Sequence, residues 1–219
     1  MKGGKLILLL VIVSMLVISC ATQQTPTPTT QQPTDKQTTQ QPAQQPTQQK
    51  QTISTEVQEL LSKHKTKVSS IRYNYRGPET GDNFHKFYIK GTKIKYEPYL
   101  EIKTLDKQES YDTIFIDTAA NTAQSYCVAA YCTYQGLKGN LNYNEAYIDT
   151  ILDWLNVAQA SKLGEEVIDS RSTWKIQTEK GILWIDTFYG VPLKVDADGD
   201  IYKFEQLSVN SVADADVRP

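Results

Sequence analysis

From Ile53 onward the apolar positions follow first one period and then another. Ile53, Val57, Leu60, Leu61 and Val68 fall near one helical stripe, with Glu56, Glu59, Lys63 and Lys65 off it. That spacing predicts an amphipathic helix over 53–68, with Ser54 or Thr55 as its N-cap. The period then drops to two. Ile71, Tyr73 and Tyr75 alternate with Arg72, Asn74 and Arg76 until Gly77-Pro78 ends the strand. Phe87 and Ile89 alternate with Lys86 and Lys90. A tight turn at Gly91-Thr92 leads into Ile94 and Tyr96 alternating with Lys93, Lys95 and Glu97, and Pro98 closes that strand. Further strands are predicted at 100–105, 111–118, 123–127 and 131–135.

The alternation breaks once. Tyr147, Ile148, Ile151, Leu152, Trp154, Leu155 and Ala158 recur at three- and four-residue spacing, which predicts a second helix over 144–159 with Gly164 as its stop. Strands resume at 165–171, 173–178, 181–187, 192–197 and 200–209. Within them Ile182 to Ile185 is apolar on both faces, as expected of a strand with a helix over one side. The order helix, strands, helix, strands is that of an α+β, mainly β domain. It predicts a single large curved antiparallel sheet, polar on one face, whose apolar face the helices must cover. Thirteen tyrosines, three tryptophans and five phenylalanines suit such a sheet.

The first fifty residues obey neither period. Lys2 and Lys5 precede an apolar run from Leu6 to Ile18, thirteen residues against the ~20 needed to span a hydrocarbon core. The pattern is that of an export signal over 1–19. Its end, Val17-Ile18-Ser19-Cys20, resembles the lipobox of prokaryotic lipoproteins. That resemblance implies lipidation of Cys20 and attachment to a membrane; the alternative is an ordinary signal with a chance cysteine. Of residues 21–51, 26 of 31 are Gln, Thr or Pro. A segment of that composition buries too little apolar surface to offset its ordering entropy, so 20–52 is expected to be a disordered tether. As a flexible coil it would span roughly 30 Å, and as extended polyproline II ~95 Å. The folded domain is then 53–219.

The hairpin sequences resemble those of the lipoprotein-carrier superfamily, the LolA/LolB-like and LppX/LprG-like proteins. The stretch that carries the resemblance is Ile182-Leu183-Trp184-Ile185-Asp186 followed by Tyr189-Gly190-Val191-Pro192-Leu193-Lys194-Val195. Ile201 to Glu205 and Leu207 to Asn210 match the strand after it, and 87–91 with 93–97 an early hairpin. The resemblance implies an unclosed half-barrel with helices over its mouth and an apolar hollow that holds acyl chains. Tyr73, Phe87, Ile89, Tyr96, Trp174, Ile176, Leu193 and Tyr202 are the candidates to line that hollow. For each, the alternative is ordinary core packing.

Charge and motifs narrow the function further. Formal net charge is −2, and loss of Lys2 and Lys5 with the leader makes it two units more negative. Such a chain lacks the basic footprint that nucleic acid requires. Cys127 and Cys132, with four residues between them across a strand-turn-strand in an exported chain, are expected to form a hairpin disulfide rather than a redox or metal pair. Asp196-Ala197-Asp198-Gly199-Asp200 has its glycine too early for a calcium loop, whereas Asp198-Gly199 between alternating runs signals a type I′ turn. His64 and His85 stand outside any recognisable nucleophile motif, and no phosphate-binding glycine loop occurs. No metal or cofactor is expected. The sequence thus points to a non-catalytic, extracytoplasmic lipoprotein that binds a lipid or an acylated partner. The alternative is an envelope protein–protein interaction or sensor module of the same fold with a packed core, and the third reading is a hydrolase without a known motif.

Overall fold

The computed structural model describes residues 53–104 and 109–219. Cys20, the export signal and the tether lie outside the described residues. Among the described residues thirteen strands form: β1 Ser70–Arg76, β2 His85–Lys90, β3 Lys93–Glu97, β4 Ile102–Thr104, β5 Glu109–Tyr111, β6 Thr113–Asp117, β7 Thr122–Tyr126, β8 Lys138–Leu141, β9 Ala160–Ile168, β10 Arg171–Thr178, β11 Gly181–Asp186, β12 Pro192–Ala197 and β13 Asp200–Val209. Eleven of them make one antiparallel sheet in the order β8-β7-β6-β3-β2-β1-β13-β12-β11-β10-β9, while β4 and β5 pair as a separate ribbon. Among the described residues the sheet does not close, and β8 and β9 are its edges. The fold is therefore the mainly β, unclosed half-barrel read from the sequence.

Cross-strand rows build the covered face. Tyr73, Phe87, Tyr96 and Ile114 are register partners across β1, β2, β3 and β6. Beside them run Val209, Ile71, Ile89, Ile94, Ile116 and Ala123. Directly opposed side chains are the unit of sheet stabilisation, and here every step of both rows is an apolar pair. On the far half Ile176, Leu183 and Val195 continue the same face.

Two pieces of chain cover it. The first is α1 (Thr55–Ser62), capped by the Ser54 hydroxyl as expected, and followed after Lys63 by the single turn α2 (His64–Lys67). Val57, Leu60 and Leu61 are its buried stripe. The helix end sits so close to the β11–β12 loop that a Cβ on Gly190 would collide with the Leu60 carbonyl, and Gly190 also has φ +72°. The second cover corrects the sequence reading: 144–159 is not one helix. It contains α3 (Tyr143–Ala146), an extended stretch, and a 3₁₀ turn at Asp153–Leu155. The Asp153 carboxylate accepts from the Tyr147 hydroxyl, the Thr150 N–H and the Thr150 hydroxyl, each at 2.7 Å. The bond from the Thr150 N–H satisfies a backbone donor that a helix would have used along its own axis.

Other elements shift for equally local reasons. Residues 131–135 are turns rather than a strand, because the disulfide folds 127–132 back on itself, and the strand lies later, at β8. Gly164 stops no helix; it sits inside β9 beside a bulge. Trp184 faces away from the covers: the ammonium groups of Lys194 and Lys175 stand 4.2 and 5.0 Å from its ring centre, and its N–H donates to Glu166 at 2.6 Å.

Candidate functional site

Five of the eight candidate lining residues, Tyr73, Phe87, Ile89, Tyr96 and Ile176, are buried in one continuous core cluster. Phe87 lies between two tyrosine rings, 5.3 Å from Tyr73 and 5.2 Å from Tyr96, with planes 5° and 14° apart. Phe204 meets Tyr73 edge-on at 5.5 Å. The cover is tied to this floor by hydrogen bonds as well as by packing. The Ile151 N–H donates to the Tyr73 hydroxyl at 3.2 Å, and the Tyr96 hydroxyl donates to the Ala146 carbonyl at 3.0 Å. Burial pushes both phenols well above the ordinary tyrosine range, so both stay neutral donors and acceptors.

Trp174 and Tyr202 are half-buried at the margin of the cluster. The Lys162 ammonium sits 3.6 Å over the Trp174 ring, and Trp154 packs on Tyr202 at 4.8 Å. Leu193 does not join the others. A register shift between Trp184 and Ile185 opposite β12 puts Leu193 out of phase with Val195, and it lines a charged pocket with Glu166, Lys194, Lys203 and Glu205. One bulge reverses the facing of every residue beyond it.

Cys127 and Cys132 form the expected disulfide, with Cα atoms 5.6 Å apart. Around it lies a surface that the alternation did not reveal. Tyr99, Leu100, Val128 and Tyr131 are each more than half exposed, and Tyr134 and Leu137 are exposed as well. Phe84, Pro98, Tyr99 and Tyr131, with Lys86 and Glu97, line a groove of about 250 Å³. Phe84 and Tyr99 meet edge to face at 6.1 Å.

The loops that present these side chains are fixed from below. The buried Asp112 carboxylate accepts the N–H groups of Val128 at 3.0 Å and Ala129 at 2.7 Å. Glu101 accepts both the N–H and the hydroxyl of Thr133 at 2.7 Å, and with Lys103 these bonds hold its carboxyl down to about 2. Ser110 lies against both sulfurs and accepts the Tyr134 N–H at 3.2 Å. His85 accepts the Tyr99 N–H on Nδ1 at 3.4 Å, and burial lowers its pKa. The available sequence signal was the density of Tyr, Leu and Val between turn residues without a period. The strand expected at 131–135 is loop, which exposes Tyr131 and Tyr134, and the strand expected at 100–105 forms only as β4, so Leu100 lies in the loop before it.

The remaining polar groups do structural work. Asp198 and Gly199 both have positive φ, as the hairpin turn requires, and Asp196 caps that turn by accepting the Gly199 N–H. Glu165 and Glu166 face opposite ways, the first to Lys162 and the second to Trp184. Among the described residues no three His, Cys, Asp or Glu side chains converge as metal ligands, and no helix is long and apolar enough to cross a membrane.

No protein-family model and no curated protein sequence matches the chain. Among solved structures it is similar to MucB, with a TM-score of 0.44 and 12% identity over 76% of this chain. It is also similar to the lipoprotein LppX of Mycobacterium tuberculosis, with a TM-score of 0.43 and 14% identity, covering 74% of this chain and 96% of that one. MucB from the Pseudomonas aeruginosa MucA/MucB complex gives a TM-score of 0.40 and 11% identity over 75% of this chain. The chain spans 63% and 59% of the two MucB chains.

Proposed function

We propose that this chain is an extracytoplasmic lipoprotein, anchored to a membrane through Cys20, whose half-barrel is a non-catalytic module that binds an envelope protein. The partner docks on the aromatic surface around the Cys127–Cys132 loop. The observation that carries this reading is the state of the concave face. A hollow able to admit an acyl chain leaves its lining accessible to a water-sized sphere, yet Tyr73, Phe87, Ile114, Ile176 and Phe204 are at most 1% accessible. Close packing of this kind is that of a protein interior. The exposed aromatic groups, by contrast, sit on loops fixed by a disulfide and by the carboxylates of Asp112 and Glu101. Aromatic side chains presented rigidly lose little freedom on binding and dominate interface energetics.

An acyl ligand enters this fold by displacing one of the two covers, α1 or the 143–159 segment, and the experiment separates the two cases. A photoreactive side chain is placed at Tyr99 or Tyr131 in the full chain in its native membrane, and the purified protein is extracted with solvent for bound lipid. Discrete protein adducts at Tyr99 and Tyr131, absent from a control at the outward-facing Lys175, support the reading. Stoichiometric lipid in the extract with no protein adduct overturns it in favour of lipid carriage.

A further inference from the structure

The β9 strand is nine residues long and bonded to a neighbour on one side alone: among the described residues its ladder is with β10. Leu163 and Val167 are exposed on it, and so are Lys162, Glu165 and Glu166. A long edge with free N–H and C=O groups templates pairing with another strand unless its side chains forbid it. Charges usually forbid it, so their arrangement decides the matter.

The bulge fixes which residues share a face. Ile176 is opposite Lys162, Lys175 opposite Gly164 and Trp174 opposite Glu165, which leaves Leu163 as the extra residue. Lys162 and Glu165 consequently lie on the same face as Ala160 and Val167, while Ser161 and Glu166 share the other. In a regular strand, residues three apart point to opposite faces. Here the bulge lets an antiparallel copy of β9 align about a two-fold axis between Leu163 and Gly164 with every flanking pair matched in face. Lys162 then opposes Glu165 of the second copy, and the symmetry repeats that pair. Val167 opposes Ala160, and Ser161 opposes Glu166. An axis through Leu163 brings Lys162 opposite Gly164, which lies on the other face. An axis between Glu165 and Glu166 likewise pairs residues of opposite face.

We propose that β9 is a self-pairing edge, and that a second copy of this chain adds to it antiparallel with Lys162 facing Glu165 across the two-fold axis. This joins two half-barrels through one continuous sheet. It leaves the Cys127–Cys132 surface, near the opposite edge strand β8, free for the partner, and it does not depend on that partner. The interface is isologous, as closed dimers require.

The test is sedimentation of the full chain in mild detergent over a concentration series. Wild-type chain is expected to show a reversible monomer–dimer equilibrium. Lys162→Glu alone and Glu165→Lys alone each set like charges opposite one another and weaken the dimer about tenfold. An equimolar mixture of the two single variants restores dimer, because each chain then meets its complement. The mixture also separates the interface from the internal Lys162–Glu165 ion pair, which neither variant regains on mixing. Circular dichroism checks that both variants fold. A wild-type chain monomeric throughout the series, or folded variants that dimerise as it does, or a mixture without heterodimer, overturns the proposal.

Discussion

The Tyr73 hydroxyl accepts the backbone N–H of Ile151 at 3.2 Å, joining the middle of the sheet to a point 78 residues later in the chain. Both residues are buried, at 1% and 0% exposure. Tyr73→Phe keeps the ring stack and leaves that N–H without a partner. A buried donor so orphaned costs roughly 1–3 kcal/mol. We expect urea denaturation to show a loss of that size with an unchanged m-value. Hydrogen exchange at Ile151 should quicken more than exchange in β11.

Asp153 organises the cover through three donors, those of Tyr147 and Thr150. Asp153→Ala removes all three acceptor contacts at once. Charge-assisted bonds are stronger than neutral ones, so the expected destabilisation is about 2–3 kcal/mol. Asp153→Asn keeps the shape and one acceptor oxygen and should cost less. Thermal unfolding of the pair, compared with wild type, checks the order.

Both histidines are held neutral by burial: the pKa values of His64 and His85 lie below the ordinary 6.5. The unfolded chain therefore binds more protons than the folded one as pH falls below about 6.5. Stability from this source is complete above that value and is lost as pH drops through the lower folded-state values. Replacing His85 by Gln, which can still accept the Tyr99 N–H, should flatten the fall in melting temperature between about pH 7 and 5.

The disulfide closes a short loop, worth about 2 kcal/mol in the chain-entropy model. Asp112 and Glu101 grip the same segment independently. Cys127→Ser with Cys132→Ser should thus lower stability by about that amount and leave the sheet intact by circular dichroism. If the aromatic loops are the docking surface, the same pair of substitutions weakens cross-linking at Tyr131. Added reductant should reproduce both effects in the wild-type chain.

At the β9–β10 turn Asp169 and Ser170 have φ of +48° and +62°. This geometry suits Asn-Gly, and Ser170→Gly removes the strain of a side chain in the left-handed region. The gain is set against glycine's greater freedom when unfolded, so about 0.5–1 kcal/mol of added stability is expected in chemical denaturation.

Strict alternation made the central hairpins legible. Phe87, Ile89, Ile94 and Tyr96 are each register-paired as their spacing implied. Alternation breaks down wherever one residue is added, as at the shift opposite β12 that sends Leu193 away from the other candidates. Periodicity also misled at 144–159. Ile151, Trp154 and Leu155 are buried as a helix stripe would be, but a cover lying flat on a sheet needs only that those side chains point downward. Side-chain acceptors for Thr150 and Ile151 replace the helical bonds, and a contact such as Tyr73 with Ile151 leaves no local trace in sequence.

The pairing of β1 with β13 has a kinetic consequence. It joins the first and last strands of the domain at the middle of the sheet, with Asn210 also accepting from Ser69 and donating to Lys67. On one side of this seam lie β2, β3, β6, β7 and β8, and on the other β12 back to β9. Each side is a run of hairpins with local contacts that form early, whereas the seam closes a loop of more than a hundred residues. Vectorial folding from the N-terminus therefore stalls with β1 half-paired until β13 has emerged. During that interval the chain exposes a strand edge of the kind that chaperones hold.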